Sequence, residues 1–269
     1  MLKENLTIGL DQVPPLYISK PDSGLGYQCH HAFIKLGRKV LNKEQCESEK
    51  QFEVLYSFDK AIAQNRKITS EEWTAFLLTK EIKLATKIIL CVPFFESKEL
   101  NLAKNTQIFY MPPYLGFRDQ GLFDYSLIFL KSKGFLPEPK DENELFAISL
   151  EEAAAQVVSL SFVRNDQMIP AVLEAPYISF NLIEWCRHFK ELSLYQKHKK
   201  LLRWKLSKDF LKNSPRLSKN STRPTRPLAA DFLPNPSSSL KRFFQRLNEC
   251  SQLAEHNEHF FAPAKSQPH

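Results

Sequence analysis

The sequence predicts an α/β protein, in which helices cover both faces of a parallel sheet. Short apolar runs alternate with longer amphipathic runs, as strands and helices do in a parallel sheet with right-handed crossovers. Two of the helical runs begin with a Ser followed by two Glu residues, at 70–72 and at 149–152, which is typical of a helix start. A chain of 269 residues suffices for one large core with a smaller lobe.

Six segments have the properties of buried parallel strands, because they are short, apolar and often β-branched or aromatic. The predicted strands are 16–19, 38–41, 52–56, 87–92, 106–111 and 146–149. Four segments between and beside them have helical periodicity. The predicted helices are 27–36, 70–85, 122–133 and 150–160, with Ser70 and Ser149 as N-caps.

The regular alternation loosens from about Pro137 onward, and prolines then become frequent. We therefore predict three parts. Residues 1–160 form the sheet domain, residues 161–250 form a small helix-rich C-terminal lobe, and residues 251–269 form a flexible tail.

The positive charge is concentrated in one segment. The whole chain has 37 Lys and Arg against 30 Asp and Glu, a net charge of +7. Residues 187–226 alone hold 13 basic and 2 acidic residues, so the rest of the chain is mildly acidic. Within this segment, 195–211 has the pattern of an amphipathic helix. It is a lobe helix with solvated lysines, a surface that contacts a diphosphate, or a docking site for a membrane surface or nucleic acid.

Cysteine usage and the absence of long apolar runs indicate the compartment. The five cysteines are widely spaced and form no CxxC pair, which favours a reducing environment and argues against a zinc site. No apolar run approaches the roughly 20 residues of a membrane span, and the first residues do not resemble a signal peptide. We therefore expect a cytoplasmic protein without a metal site.

A glycine-containing turn between two predicted strands indicates a nucleotide-binding site. The order strand, glycine turn, helix, strand over residues 16–41 is that of the βαβ unit that places a dinucleotide pyrophosphate on a helix N-terminus. Glycines in such a turn allow close approach of the backbone to the phosphates. The predicted cofactor-binding residues are Ser19, Lys20, Ser23, Gly24, Leu25 and Gly26.

This segment resembles the short-chain dehydrogenase/reductase superfamily. Residues 19–26 align with that family's TGxxxGxG loop, with Ser19 in place of Thr and Lys20 in place of the first glycine. Segments 106–123, 145–158, 169–189 and 232–244 are similar to successive motifs of the extended, epimerase/dehydratase-like branch. The resemblance implies a Rossmann-type sheet. It also implies a shortened one, because only 87 positions separate Ser19 from Thr106.

The catalytic motif of this family is altered in the chain. The family uses a Tyr–x–x–x–Lys pair, in which the Lys lowers the pKa of the Tyr, together with a Ser from the preceding strand. The matching positions hold Phe94 and Lys98, and the strand before them ends without Ser or Thr. The resemblance therefore implies a catalytically degenerate protein, a pseudoenzyme with a binding or regulatory role. The alternative is an active NAD(P)-dependent oxidoreductase or epimerase acting on a nucleotide-linked sugar, in which another group replaces the Tyr.

The resemblance also suggests ligands and partners. Tyr114 and Arg118 are the candidate substrate-binding residues, and a nucleotide-type small molecule and a homodimer are the expected partners. Strand 38–41 is not followed by the acidic residue that binds the ribose of NAD. Arg38, Lys39 or Lys43 would instead tolerate a 2′-phosphate, which favours NADP over NAD if the chain binds a cofactor at all.

Overall fold

The computed structural model describes residues 13–94, 96, 104–116, 121–136, 144–162, 170–192 and 239–255. These residues belong to two compact units. The first contains the described residues up to Asp124 together with Phe146–Tyr177. The second contains those of Tyr125–Leu145, of 178–192 and of 239–255.

The first unit is built on a six-stranded parallel sheet. The strands of the unit, in chain order, are β1 (Leu16–Ile18), β2 (Val40–Leu41), β3 (Glu53–Ser57), β4 (Lys87–Pro93), β5 (Thr106–Met111), β6 (Tyr114–Leu115), β7 (Glu144–Ser149, whose first two residues belong to the second unit) and β8 (Val172–Glu174). The sheet has the order β2-β1-β3-β4-β5-β8, and every neighbouring pair is parallel. The predicted α/β class with a parallel sheet is confirmed.

The predicted strand 146–149 forms, but outside this sheet. It is part of β7, which pairs in parallel with the two-residue strand β6. Ile148 donates its backbone N–H to Pro113 O at 3.0 Å, so the chain after β5 turns away from the main sheet before it pairs again. The position beside β5 is taken by β8 instead.

Nine helices are described along the chain. They are α1 (Gly24–Lys35), α2 (Lys43–Ser48), α3 (Asp59–Ala63), α4 (Ser70–Leu78), α5 (Lys80–Leu84), α6 (Leu122–Lys133), α7 (Leu150–Ser161), α8 (Leu182–Glu191) and α9 (Leu240–Glu255). The helix predicted at 70–85 is thus two helices, because Thr79 between them has an extended backbone with ψ 118°.

The N-cap of α4 is Thr69, and the prediction of Ser70 was wrong by one residue. The Thr69 hydroxyl accepts the Glu72 N–H at 3.2 Å, and the Glu72 carboxylate accepts the Thr69 N–H at 2.9 Å. This reciprocal pair is a capping box, which needs Glu three residues after the cap and therefore selects Thr69. At α7, the predicted cap is confirmed, since the Ser149 hydroxyl accepts the Glu152 N–H.

Helices cover both faces of the sheet, as predicted. Along β4, Ile89 and Cys91 belong to one apolar cluster, and Ile88, Leu90 and Val92 belong to the other, because successive side chains of a strand point to opposite faces. Helices α1 and α7 contribute to the first cluster, and α4 contributes to the second. Both faces of the sheet are therefore buried.

The strand order defines the place where a ligand would bind. A doubly wound sheet of the order 3-2-1-4-5-6 binds ligands at the carboxyl ends of the two strands where the winding reverses. In this chain the reversal lies between β1 and β3, because the connection after β1 leads outward to β2 and the next one crosses back to β3. Among the described residues no strand lies beyond β2, so the sheet is shortened at this edge, as the resemblance implied.

The second unit is helical with one short strand, β9 (Ile178–Asn181). Trp185 of α8 is buried and donates its ring N–H to the Ser126 hydroxyl at 3.0 Å. The Phe244 ring of α9 packs on it, with a centroid separation of 4.9 Å. The C-terminal region is helix-rich, as predicted, but Val172–Glu174 of the predicted lobe 161–250 form β8 of the main sheet. Of the basic segment 187–226, only 187–192 lie within the described residues, as does 251–255 of the predicted tail 251–269.

No helix in the described part of the chain has both the length and the apolar character that crossing a membrane requires.

Candidate functional site

The crevice between the carboxyl ends of β1 and β3 is the candidate site. The predicted loop, residues 19–26, follows β1 directly and leads into α1. Ser57 is the last residue of β3, and Asp59 begins α3 two positions later. Two loops of different chain segments therefore meet where the sheet reverses its winding, which is where ligands bind in this architecture.

The loop after β1 folds into a tight turn around one carbonyl group. Lys20 O accepts the backbone N–H of Ser23 at 3.2 Å, and the Ser23 hydroxyl lies 2.8 Å from the same oxygen. A Cβ placed on Gly26 would lie only 1.9 Å from Lys20 O. The missing side chain of Gly26 therefore makes room for the carbonyl of the loop itself.

Asp59, which the sequence analysis did not identify, lies at the centre of this site. Its side chain is buried, with 6% of the residue exposed. One carboxyl oxygen is hydrogen-bonded to the hydroxyl of Ser23, the N-cap residue of α1, and the other to the hydroxyl of Ser57. Burial raises the pKa of Asp59, while the two hydroxyl hydrogen bonds and the charge of Lys20 act in the opposite direction.

Tyr114, a predicted substrate-binding residue, belongs to the same hydrogen-bond network as Asp59 and Ser57. It is 1% exposed, and its hydroxyl lies 3.3 Å from the Ser57 hydroxyl. Burial, followed by the negative charge of Asp59, raises the pKa of Tyr114 well above its ordinary value. The Tyr114 side chain is therefore a buried, neutral phenol. Arg118, predicted to bind substrate with it, lies outside the described residues.

Lys20, which replaces the first glycine of the family motif, has an exposed side chain. Its ammonium group lies over the Tyr56 ring, 5.8 Å from the ring centroid. Ser19 continues the pairing of β1, because its N–H donates to Leu55 O at 3.0 Å. Gly24, Leu25 and Gly26 are buried in the first turn of α1.

The position that the resemblance assigns to the catalytic Tyr is part of the apolar core. Phe94 directly follows β4 and is 1% exposed. Its ring centroid lies 5.6 Å from that of Phe146 and 6.0 Å from that of Tyr177. Lys98, the predicted partner of this position, lies outside the described residues.

Two of the three cations expected near a 2′-phosphate are paired elsewhere. Arg38 precedes β2 and donates to the Glu53 carboxylate at 2.8 Å, at the amino ends of the strands and therefore at the edge opposite the loop after β1. Its expected role in cofactor selection is wrong for that reason. Lys39 pairs with Glu49 at 2.7 Å. Lys43 is exposed at the start of α2, beyond the carboxyl end of β2.

These residues do not fit a dinucleotide pyrophosphate. A phosphate at the N-terminus of a helix needs free N–H or hydroxyl donors and the positive end of the helix dipole. Here the hydroxyl of the N-cap residue is engaged by Asp59, and Lys20 O, a further acceptor, packs against the first turn of α1. We therefore assign no catalytic step to a nicotinamide cofactor.

The raised pKa of Asp59 predicts how Asp59→Asn alters stability. Because burial raises this pKa, the carboxyl group contributes stability below about pH 4, its ordinary pKa, and loses that contribution as the pH rises through the folded-state pKa. Asn has nearly the same shape and no charge, and hydroxyl groups can donate to it and accept from it. We expect the variant to be more stable than the wild type at pH 7, with an advantage that shrinks toward pH 4.

Urea unfolding at both pH values measures this difference. Asp22→Asn is the matched control, because Asp22 is an exposed carboxylate in the same turn. An Asp59→Asn protein that is less stable than the wild type at pH 7, with unchanged stability in the control, would contradict the expectation.

No protein-family model matches the chain, and a search of curated proteins found no significant match. Solved structures do resemble it, each at 11% sequence identity. L-threonine dehydrogenase from Clostridium difficile aligns with a TM-score of 0.53 over 91% of this chain and 98% of that one. TunA, an NAD-dependent NDP-hexosamine 5,6-dehydratase involved in tunicamycin biosynthesis, aligns with a TM-score of 0.53 over 89% and 98%.

A GDP-L-fucose synthetase from Naegleria fowleri aligns with a TM-score of 0.51 over 92% of this chain and 95% of that one. At such low identity the likeness concerns the fold, and it extends over nearly the whole length of each enzyme. The chain therefore has the Rossmann-type α/β fold of these enzymes.

Proposed function

We propose that this protein is a non-catalytic relative of the epimerases and dehydratases with this fold, and that it acts by binding or regulating a partner. The proposal rests mainly on the identity and the burial of Phe94. This residue stands at the position that the resemblance assigns to the catalytic Tyr. Its ring is buried and packs against other aromatic rings. A phenyl ring has no proton to exchange, so the proton relay of the family is missing at that position.

Tyr114 does not restore the relay. A catalytic phenol must lose its proton near neutral pH, and for this its pKa has to be lowered. Burial and the neighbouring Asp59 instead raise the pKa of Tyr114. The last three residues of β4, Cys91, Val92 and Pro93, provide no hydroxyl group that could stand in for the catalytic Ser.

The anionic partners suggested by the sequence are the first to test for a binding role. Segment 187–226 combines a local charge of +11 with the amphipathic pattern of 195–211. Such a segment attracts phosphate-bearing surfaces and molecules through its charge. This part of the proposal depends on the sequence, since most of the segment lies outside the described residues.

A turnover assay tests the proposal directly. The wild type is incubated with NAD⁺, NADP⁺, NADH or NADPH and a panel of nucleotide-linked sugars, and products are followed by absorbance at the nicotinamide band and by chromatography. We expect no turnover by the wild type, nor by Tyr114→Phe or Phe94→Tyr. Wild-type turnover that disappears in Tyr114→Phe would overturn the proposal, because it would identify the Tyr114 hydroxyl as the replacement acid. Wild-type turnover that survives in Tyr114→Phe would overturn it as well.

A further inference from the structure

We infer that the Asp59 carboxyl group occupies the position at which this fold binds a phosphate, and that it thereby prevents dinucleotides from binding between the carboxyl ends of β1 and β3. The proposed function concerns the missing proton relay, whereas this inference concerns the cofactor and stands on different residues. It starts from the position of Asp59. The residue begins α3 just after β3, and its carboxyl group contacts Ser23, the residue that caps α1.

The first argument is electrostatic. The N-terminus of α1 carries the partial positive charge of a 12-residue helix, which in this fold attracts the pyrophosphate. The Asp59 carboxylate lies at the same place and interacts favourably with this partial positive charge, as the phosphate would. Asp59 is covalently held there, so a free phosphate competes with a group that is always present. Two like charges in a buried site of low dielectric constant also repel each other strongly.

The second argument is hydrogen bonding. The Ser23 side chain makes no capping bond to the backbone of α1 and instead contacts Asp59 and Lys20 O. On the far side, Ser57 contacts the other oxygen of the Asp59 carboxyl group. A pyrophosphate would have to displace a carboxyl group that is bound on both oxygens, and it would leave that group buried without these partners.

The third argument is the space around the turn. Lys20 O occupies the space that the missing side chain of Gly26 leaves in the first turn of α1, the turn whose N–H groups would face a phosphate. A carbonyl oxygen is an acceptor, as a phosphate oxygen is, and the two cannot form a hydrogen bond. Charge, hydrogen bonding and space therefore agree in excluding the cofactor.

Cofactor titrations with variants of Asp59 test the inference. NADH and NADPH are titrated into the full-length chain up to about 1 mM, the upper end of ordinary substrate affinities, and binding is followed by nicotinamide fluorescence and by calorimetry. The proteins are the wild type, Asp59→Ala, Asp59→Asn and the control Asp22→Asn, whose carboxylate is exposed in the same loop. Asp59→Ser is a second small substitution for the case that Asp59→Ala does not fold, which circular dichroism reveals.

We expect no saturation with the wild type or with Asp22→Asn. Asp59→Ala removes both the charge and the volume, and we expect its affinity to rise at least about tenfold, with inorganic pyrophosphate as a competitor. Asp59→Asn removes the charge alone, and an intermediate gain supports the inference by separating charge from volume. Saturable cofactor binding by the wild type overturns the inference, as does a folded Asp59→Ala or Asp59→Ser protein that gains no affinity. Neither result decides the proposed function, which depends on turnover.

Discussion

Replacement of Glu53 by Gln is expected to lower the free energy of unfolding at pH 7 by about 3–5 kcal/mol, the usual cost of leaving one member of a buried ion pair without its partner. Glu53 and Arg38 form a pair at 2.8 Å, and their side chains are only 9% and 1% exposed. The carboxylate also acts on Lys87, a second buried cation, by raising its pKa against the effect of burial. The substitution thus removes the counter-charge of two cations.

Arg38 cannot escape to solvent when this carboxylate is lost. Its guanidinium lies over the rings of Phe33 and Phe162, at 5.2 and 5.6 Å from their centroids. Two of its nitrogens donate to Pro14 O, and the buried Nη1 has no hydrogen-bond partner among the residues that the structure describes. The group is therefore held in an apolar environment that already lowers its pKa.

Urea unfolding followed by circular dichroism gives the free energies. Glu49→Gln is the control, because it breaks the pair with Lys39 at the surface and is expected to cost at most about 1 kcal/mol. Arg38→Met combined with Glu53→Leu removes both charges at once, and this double variant is expected to be more stable than Glu53→Gln. A loss below about 1 kcal/mol in Glu53→Gln would show that the pair is not needed for stability.

Local sequence patterns were sufficient to predict most elements of the fold. The strand at 106–111 and the helix at 122–133 have the predicted bounds, since in both the apolar pattern begins and ends sharply. Helix α1 begins three residues before the predicted start, because Gly24 and Gly26 were assigned to the turn. They are tolerated in the first helical turn, where Ser23 provides the extended N-cap and the closeness of Lys20 O requires Gly26.

The centre of the candidate site could not be predicted in the same way. Ser23 and Asp59 are 36 positions apart, and they meet only because β3 lies beside β1. The sequence of predicted strands does not by itself reveal this neighbour relation. The available signal was the acidic residue two positions after Ser57, at the carboxyl end of a buried strand. Read together with the strand order of a doubly wound sheet, it would have placed a carboxylate beside the glycine loop.

Replacement of Gly26 by Ala is expected to lower the free energy of unfolding by about 3 kcal/mol, the upper end of the usual cost of overpacking. The added Cβ would lie 1.9 Å from Lys20 O and 2.9 Å from the carbonyl carbon. Both are backbone atoms, so relief requires the turn to move, and the turn holds the N–H of Ser23 on Lys20 O. A displaced Ser23 also withdraws one of the two hydroxyl partners of Asp59.

Gln28→Ala, in the same helix and half-buried, is the matched control, with an expected change within about 0.5 kcal/mol. Measuring both variants by urea unfolding with and without NADH separates the two roles that a glycine can have in this motif. A glycine retained for a nucleotide would matter for binding and little for stability. A large loss of stability that NADH does not alter would show that the structure of the turn around Lys20 O requires Gly26, independently of nucleotide binding. An almost unchanged stability would mean that the turn can relax, and that the close contact between Lys20 O and Gly26 does not hold the loop after β1 in place.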